Sequence, residues 1–354
     1  MNTSLQQRFI RWFIVAVACG SLLYLGGSIW AGLDDIKGEL KDFKWSYFAA
    51  AIALTLLNYG LRFIKWHYFL TRLKVPMPLG EDLWNFIAGL SMAISPGKAG
   101  EILKSYVVRA RTGIPMATTI PAVVTERLTD AIAMLLLAGI GITTYAASQI
   151  HYVLIPGFIA ACGIGVLLSE SLSMKIIDGL SVFGPLAKIT PKLKEMYQAM
   201  RTCVAPISLL WTIALSFVAW GAECVAYQLI FTGLDYNAPL DVCLFLYSFA
   251  TIAGSALVPG GIGVADGALV GGAMHYLPEL IESKAVAAAF LVRIATMWFG
   301  VGLGSIALFK VGHMLGGDIN LQEASSIEES NTKESDTEES NTKVEGDADQ
   351  TQSP

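Results

Sequence analysis

The chain has 354 residues, 54% of them hydrophobic and 15% charged, with a mean hydropathy of +0.56 and a net charge of −5. Soluble domains carry about 25% charged residues, so this composition excludes an ordinary soluble enzyme and points to an all-α, polytopic membrane protein. The charge is unevenly placed: from residue 321 onward ten acidic side chains face two lysines, a charge of −8, which leaves the rest of the chain at +3.

Arg8 and Arg11 precede the first apolar segment, 9–32. Its uncharged run is longer than a signal-peptide core and no clear cleavage site follows, so it reads as a retained anchor. The second span, 46–70, carries Asn58, Arg62 and Trp66 at i, i+4 and i+8, along one stripe of a helix. Arg62, Lys65 and His67 read as anchors at the membrane interface; the alternative is a cavity-facing Arg62.

An apolar region follows at 82–111, interrupted by Pro96-Gly97-Lys98-Ala99-Gly100-Glu101. Proline removes a backbone donor and glycine relaxes the chain, so a helix should break here, inside hydrocarbon that tolerates no unpaired amide. Glu101 then falls near the start of a returning helix, where an acid complements the dipole. Lys98 and Lys104 add positive charge at its mouth. The next span, 119–146, opens on Glu126-Arg127-Leu128-Thr129-Asp130. Arg127 and Asp130 can pair at i, i+3. This is either a self-neutralised turn or a phosphate ligand, Arg127, held in place by acids; its planar fork suits a phosphate.

A span at 150–169 precedes a lysine-bearing loop, and the span 204–232 carries Glu223 with no charged neighbour, either protonated and hydrogen-bonded or lining a cavity. The region 240–278 repeats the break as Pro259-Gly260-Gly261-Ile262-Gly263, with Asp266 three residues on. The last span, 283–310, carries Arg293, whose partner must come from elsewhere: Asp266 or Glu223. Exposed amides after Pro96 and Pro259, at helix starts, would form anion sites.

Lysine and arginine bias places both termini in the cytoplasm of a cell carrying the protein in its cytoplasmic membrane. The first broken region then opens inward and the second outward, each followed by an arginine-headed span. That arrangement predicts six full spans and two re-entrant hairpins related as an inverted repeat, the organisation of secondary transporters. Residues 1–312 form this membrane domain, and 313–354, acidic and without aromatic residues, a disordered cytoplasmic tail. Cysteines and histidines are scattered and no nucleotide motif is present, so neither cofactor nor metal is expected.

In order, Ser95 to Glu101, Glu126 to Asp130, Pro259 to Gly263, and Arg293, with Arg62 and Trp66, resemble the transmembrane region shared by lysylphosphatidylglycerol synthases and stand-alone flippase-like membrane proteins. The resemblance covers about 10–312 and implies a domain that moves a phospholipid-like molecule between leaflets. The soluble aminoacyltransferase domain of full-length synthases has no counterpart in the residues after 312, and Asp266 stands where a Glu is expected.

The function expected is therefore a lipid translocase, more a transporter than an enzyme. Its substrate is a phospholipid or polyisoprenyl-phosphate-linked lipid whose head-group phosphate is held by Arg127 and Arg293. The partners are membrane lipids with an anionic or phosphate-containing head group, not nucleic acid, and a homo-oligomer is compatible with this reading. Movement would be downhill or coupled to an ion gradient, with Glu223 the candidate proton carrier. The alternatives are a membrane-embedded transferase acting on a lipid phosphate, for which Glu101 and Asp130 are the candidate acids, and a non-catalytic scaffold whose tail recruits a partner.

Overall fold

The computed structural model describes residues 33–94, 101–145, 150–180, 190–257 and 259–315. The first expected span, the Pro96–Gly100 break and the acidic tail lie outside these. The chain divides into a compact unit, 17–311, and a second made of 1–16 and 312–354; the elements below belong to the first, save the last residues of the final helix. No strand occurs among the described residues.

A short helix, α1 (Leu33–Asp42), precedes the long α2 (Trp45–Arg72). The sequence of α2 is inside out: Thr55, Asn58, Arg62 and Lys65, spaced three, four and three apart, are buried, while Leu56, Leu57 and Ile64 are exposed. Apolar side chains facing outward and polar ones facing protein are what a lipid solvent selects. The same logic places Phe158, Ile207, Leu210, Ile306 and Phe309 on the outer surface.

Two short helices follow, α3 (Leu79–Leu90) and α4 (Leu103–Thr112), the first continued by a 3₁₀ turn over Ser91–Ile94. At 1.5 Å per residue they span about 18 and 15 Å, half a hydrocarbon core each. They pack on each other, and Arg111 clamps Glu81 through two bonds of 2.7 Å at their outer ends. Then come α5 (Met116–Tyr145), α6 (His151–Leu168), α7 (Glu170–Leu180) and α8 (Thr190–Cys203). The long α9 (Pro206–Gly233), with proline in its first turn, lies along α2.

The second broken pair is α10 (Leu240–Leu257) and α11 (Val264–Tyr276), joined through a 3₁₀ turn at Pro259–Gly261. Gly260, Gly261 and Gly263 have φ of 65°, 66° and 83°, a region that costs an L side chain roughly 1–2 kcal/mol per residue. A Cβ on Gly261 would also come within 3.1 Å of Gly254 Cα, so these glycines permit both the turn and the close crossing. Finally α12 (Glu282–Arg293) and α13 (Phe299–Met314) are joined by a π turn over Ile294–Trp298. Gly304 of α13 packs against the backbone of Ser91, where any Cβ would overlap it. Small residues at such crossings let backbones approach where no hydrophobic force holds helices together.

Contacts sort the helix ends into two sets. The Lys44 amide donates to the Gly233 carbonyl at 3.0 Å, Lys44 pairs with Asp235, Tyr236 bonds Pro278, and Ser283 bonds Glu39. The hydrogen bond from Lys44 holds the Asp235 carboxyl below the usual carboxylate range. The start of α2, the end of α9 and the start of α12 thus share one side. At the other side, Glu81 meets Arg111 and Thr118 meets Glu195. Lys44 thus lies on the same side as the turn that ends α9.

Among the described residues three helices are long and apolar enough to cross a membrane: α2, α9 and the continuous Glu282–Met314. A fourth is reached if α6 and α7, bent by 90°, count as one span. Of the six full spans expected, the described residues support three or four. The first expected span is not described, and α5, though 30 residues long, is not among the three; it holds three charges within five residues. The span expected at 150–169 is α6, which turns sharply into α7 at Ser169.

Candidate functional site

Lys65, read from sequence as an interfacial anchor, is instead fully buried. Its ammonium bonds Asp130 at 2.5 Å, Ser216 at 2.7 Å and the Glu126 carbonyl at 3.2 Å. Lys104, from α4, reaches Glu126 at 2.5 Å and lies 4.4 Å over the Trp66 ring. Arg127 contacts three carboxylates: Glu126 at 2.6 Å, Asp130 at 3.2 Å and Glu101 at 3.2 Å. Glu101 is therefore an ion-pair partner rather than the helix cap; α4 starts two residues later, at Leu103. Four cations (Arg62, Lys65, Lys104, Arg127) and three carboxylates converge here from α2, α4, α5 and the turn before α4. Removing one member of a buried pair costs about 3–5 kcal/mol, because the partner's charge is stranded.

Arg62 sits at the edge of this cluster on longer contacts, 3.5 Å to Glu126 and 3.9 Å to Asp130. Its side chain is 9% exposed, its Nε has no hydrogen-bond acceptor among the described residues, and its guanidinium lies 5.7 Å from the Trp220 ring centre. It borders a cavity of about 110 Å³, which also receives Asn58, Glu223, Tyr247, Thr251 and Arg293. The wall includes Gly260 and Gly261, so the cavity lies against the second break, which itself touches the 3₁₀ turn Ser91–Ile94 after α3.

Arg293 is the second guanidinium on this cavity. It bonds the Gly260 carbonyl at 2.6 Å and lies 3.1 Å from Asp266, whose other oxygen accepts the Gly263 amide at 2.9 Å. The Asp266 pairing was one of the two expected. The π turn begins at the next residue, and the Thr296 carbonyl there accepts the Tyr59 hydroxyl at 2.5 Å. Such turns free carbonyls and recur at functional positions. Glu223 lines the cavity and accepts from the Tyr247 hydroxyl at 3.2 Å.

Of the expected site residues, then, Arg62, Glu223, Gly260, Gly261 and Arg293 meet on one cavity. Asp266 backs it, and Gly263 holds Asp266. Arg127 with Glu101, Glu126 and Asp130 forms the neighbouring cluster and does not line the cavity. Lys98, Pro96, Gly97 and Gly100 lie outside the described residues. Sequence reasoning missed Lys65 as the hub of the cluster and Lys104 as the counter-ion of Glu126. The 3-4-3 polar spacing along α2 was the available signal for Lys65.

These helices, outward-facing apolar side chains and buried charges define a multi-pass helical membrane protein. The chain belongs to the family described as the lysylphosphatidylglycerol synthase TM region, whose model matches residues 13–304. It is similar to two UPF0104 membrane proteins of Methanothermobacter thermautotrophicus. One is 22% identical over 320 residues, covering 82% of this chain and 90% of the relative. The other is 22% identical over 306 residues, covering 78% and 89%.

Proposed function

We propose that this protein is a lipid translocase of the cytoplasmic membrane, in which a head-group phosphate passes through the cavity between Arg62 and Arg293 while the acyl chains stay in lipid. One observation carries the reading: two arginines from different helices line one cavity beside a helix break. A guanidinium offers a planar fork to phosphate, and a buried cation here is costly unless it serves a pathway or a partner. Arg62 is poorly matched by its own neighbours, so an incoming anion gains most there.

The two broken pairs are read as re-entrant hairpins of an inverted repeat. Their outer ends belong to opposite sets of helix ends, and the 3₁₀ turn Ser91–Ile94 after α3 touches the second break. With the Arg111 end in the cytoplasm, as the lysine and arginine bias favours, one hairpin opens to each leaflet. Arg127, expected from sequence as a phosphate ligand, is assigned instead to ordering the cluster that presents Arg62.

The test is a leaflet-accessibility assay in proteoliposomes holding phosphatidylglycerol labelled on an acyl chain, with dithionite quenching the outer leaflet. The wild type is expected to expose the whole label pool. Arg62→Ala and Arg293→Ala are expected to slow exchange by about 10- to 100-fold, the worth of a charge-assisted bond of roughly 1.5–3 kcal/mol. Arg111→Ala, at the periphery, should leave the rate unchanged. Equal rates in all four proteins would refute the proposal.

A further inference from the structure

An extra anion entering the buried region needs its charge compensated there. The cluster holds four cations and three carboxylates, and the cavity adds Arg293 with Asp266 and the single carboxyl of Glu223. Among the described residues that is five cations and five carboxyl groups, a neutral set when all are ionised. A phosphodiester brings one negative charge, and an uncompensated charge at this depth is strongly disfavoured.

The carboxyl groups are not equivalent. Glu101, Glu126, Asp130 and Asp266 each have a cation within 4.0 Å. Glu223 has none at that distance among the described residues; its recorded polar contact is the Tyr247 hydroxyl. It is 2% exposed and borders the same cavity as both guanidinium groups.

Among the described residues, few groups on the helices packed against α9 face Glu223. From α2 come Tyr59 and Arg62, from α10 Tyr247, and from the turn ending α12 Arg293, with Cys224 adjacent on α9 itself. From α5, Asp130 approaches through Arg62 and through Ser216, which bonds it at 2.9 Å. Lys65, Lys104, Arg127 and Arg293 are held at 2.5–3.1 Å by other carboxylates and Arg62 only on longer contacts, so Glu223 is the group that can change its charge without breaking a buried pair.

Resting on the translocase reading, we infer that the cavity binds a phosphodiester together with one proton, taken up by Glu223, so that lipid anion and proton cross together. One O–H bond forms at the Glu223 carboxylate with a proton from water on the entry side, and the same bond breaks on release at the other. The net charge carried is zero. Transport therefore responds to a pH gradient and is indifferent to membrane potential.

The experiment uses the full-length protein in proteoliposomes with acyl-labelled phosphatidylglycerol, a pH gradient in one arm and a potassium–valinomycin potential in the other. For one proton per lipid, the wild type is expected to accumulate label in the more alkaline-facing leaflet, about tenfold per pH unit at steady state, with no response to potential. Glu223→Gln, which keeps the shape and the Tyr247 contact, is expected to equilibrate label without any pH-driven asymmetry and to follow the potential instead. Wild-type exchange that follows potential and ignores pH would overturn the inference while leaving the translocase intact, and it needs no variant. Gradient dependence persisting in Glu223→Gln would overturn the assignment to Glu223. Absence of wild-type exchange in either arm would overturn the translocase reading and this inference with it.

Discussion

Two charged regions lie side by side in this protein and are built differently. Around Glu126 and Asp130, ammonium and guanidinium groups are held at 2.5–3.2 Å, with polar neighbours such as Ser216 taking further bonds. Around Arg62 and Glu223 the contacts lengthen to 3.2–3.9 Å and open space remains. The first region spends its charge on itself, and the second leaves charge available. A buried arginine is thus no sign of a binding site until its counter-ions are counted, and Arg127 and Arg62, both close to Asp130, fall on opposite sides of that line.

The sharpest way to break the comparison is inside the closed region. Asp130→Ala leaves Lys65 buried and unpaired and should cost about 3–5 kcal/mol, seen as a large fall in thermal unfolding temperature in detergent. Lys65→Met combined with Asp130→Leu should recover most of that loss, since apolar pairs of similar volume replace buried ion pairs at little cost. In the open region the pattern should invert. Arg62→Ala should lower stability less than Asp130→Ala does, while lipid exchange falls by the larger factor.

A smaller effect is expected between the regions. Gly304→Val places a side chain against the Ser91 backbone beside the first break; overpacking of this kind costs about 1–3 kcal/mol and should slow exchange along with lowering the unfolding temperature. The smallest concerns the outer loops. The Asp235 carboxyl is depressed by Lys44, so that contribution is present above the ordinary carboxylate pKa and is lost as pH falls through the depressed value. Asp235→Asn should slightly flatten the acid limb of a stability–pH profile and leave exchange untouched.

Much of this was legible in the sequence. Pro259-Gly260-Gly261 announces a break because its conformations are chemically encoded, and Arg293 lacking a local acid pointed to Asp266 or Glu223, of which Asp266 is the one it meets. Glu126, Arg127 and Asp130 were visible as a unit because helical spacing is local. What stayed hidden depends on how distant helices cross. Lys65 meets Asp130 across 65 residues, and Lys104 meets Glu126 only because α4 returns beside α5. Arg62 and Lys65 look alike on a hydropathy plot, yet one turn of helix sends the first to the cavity edge and the second into the cluster. The 90° bend after α6 is likewise invisible on a hydropathy plot, which sees length but not direction.

The central claim is that a lipid phosphate occupies the cavity between Arg62 and Arg293. A cysteine placed at Thr251, which borders that cavity, in a protein whose native cysteines are replaced by serine or alanine, reports on it directly through its reaction with a methanethiosulfonate. The account predicts that phosphatidylglycerol slows this reaction several-fold relative to an uncharged diacylglycerol of the same chain length, and that Arg62→Ala or Arg293→Ala abolishes the protection. Equal labelling with both lipids, or protection unchanged by loss of either arginine, would contradict it.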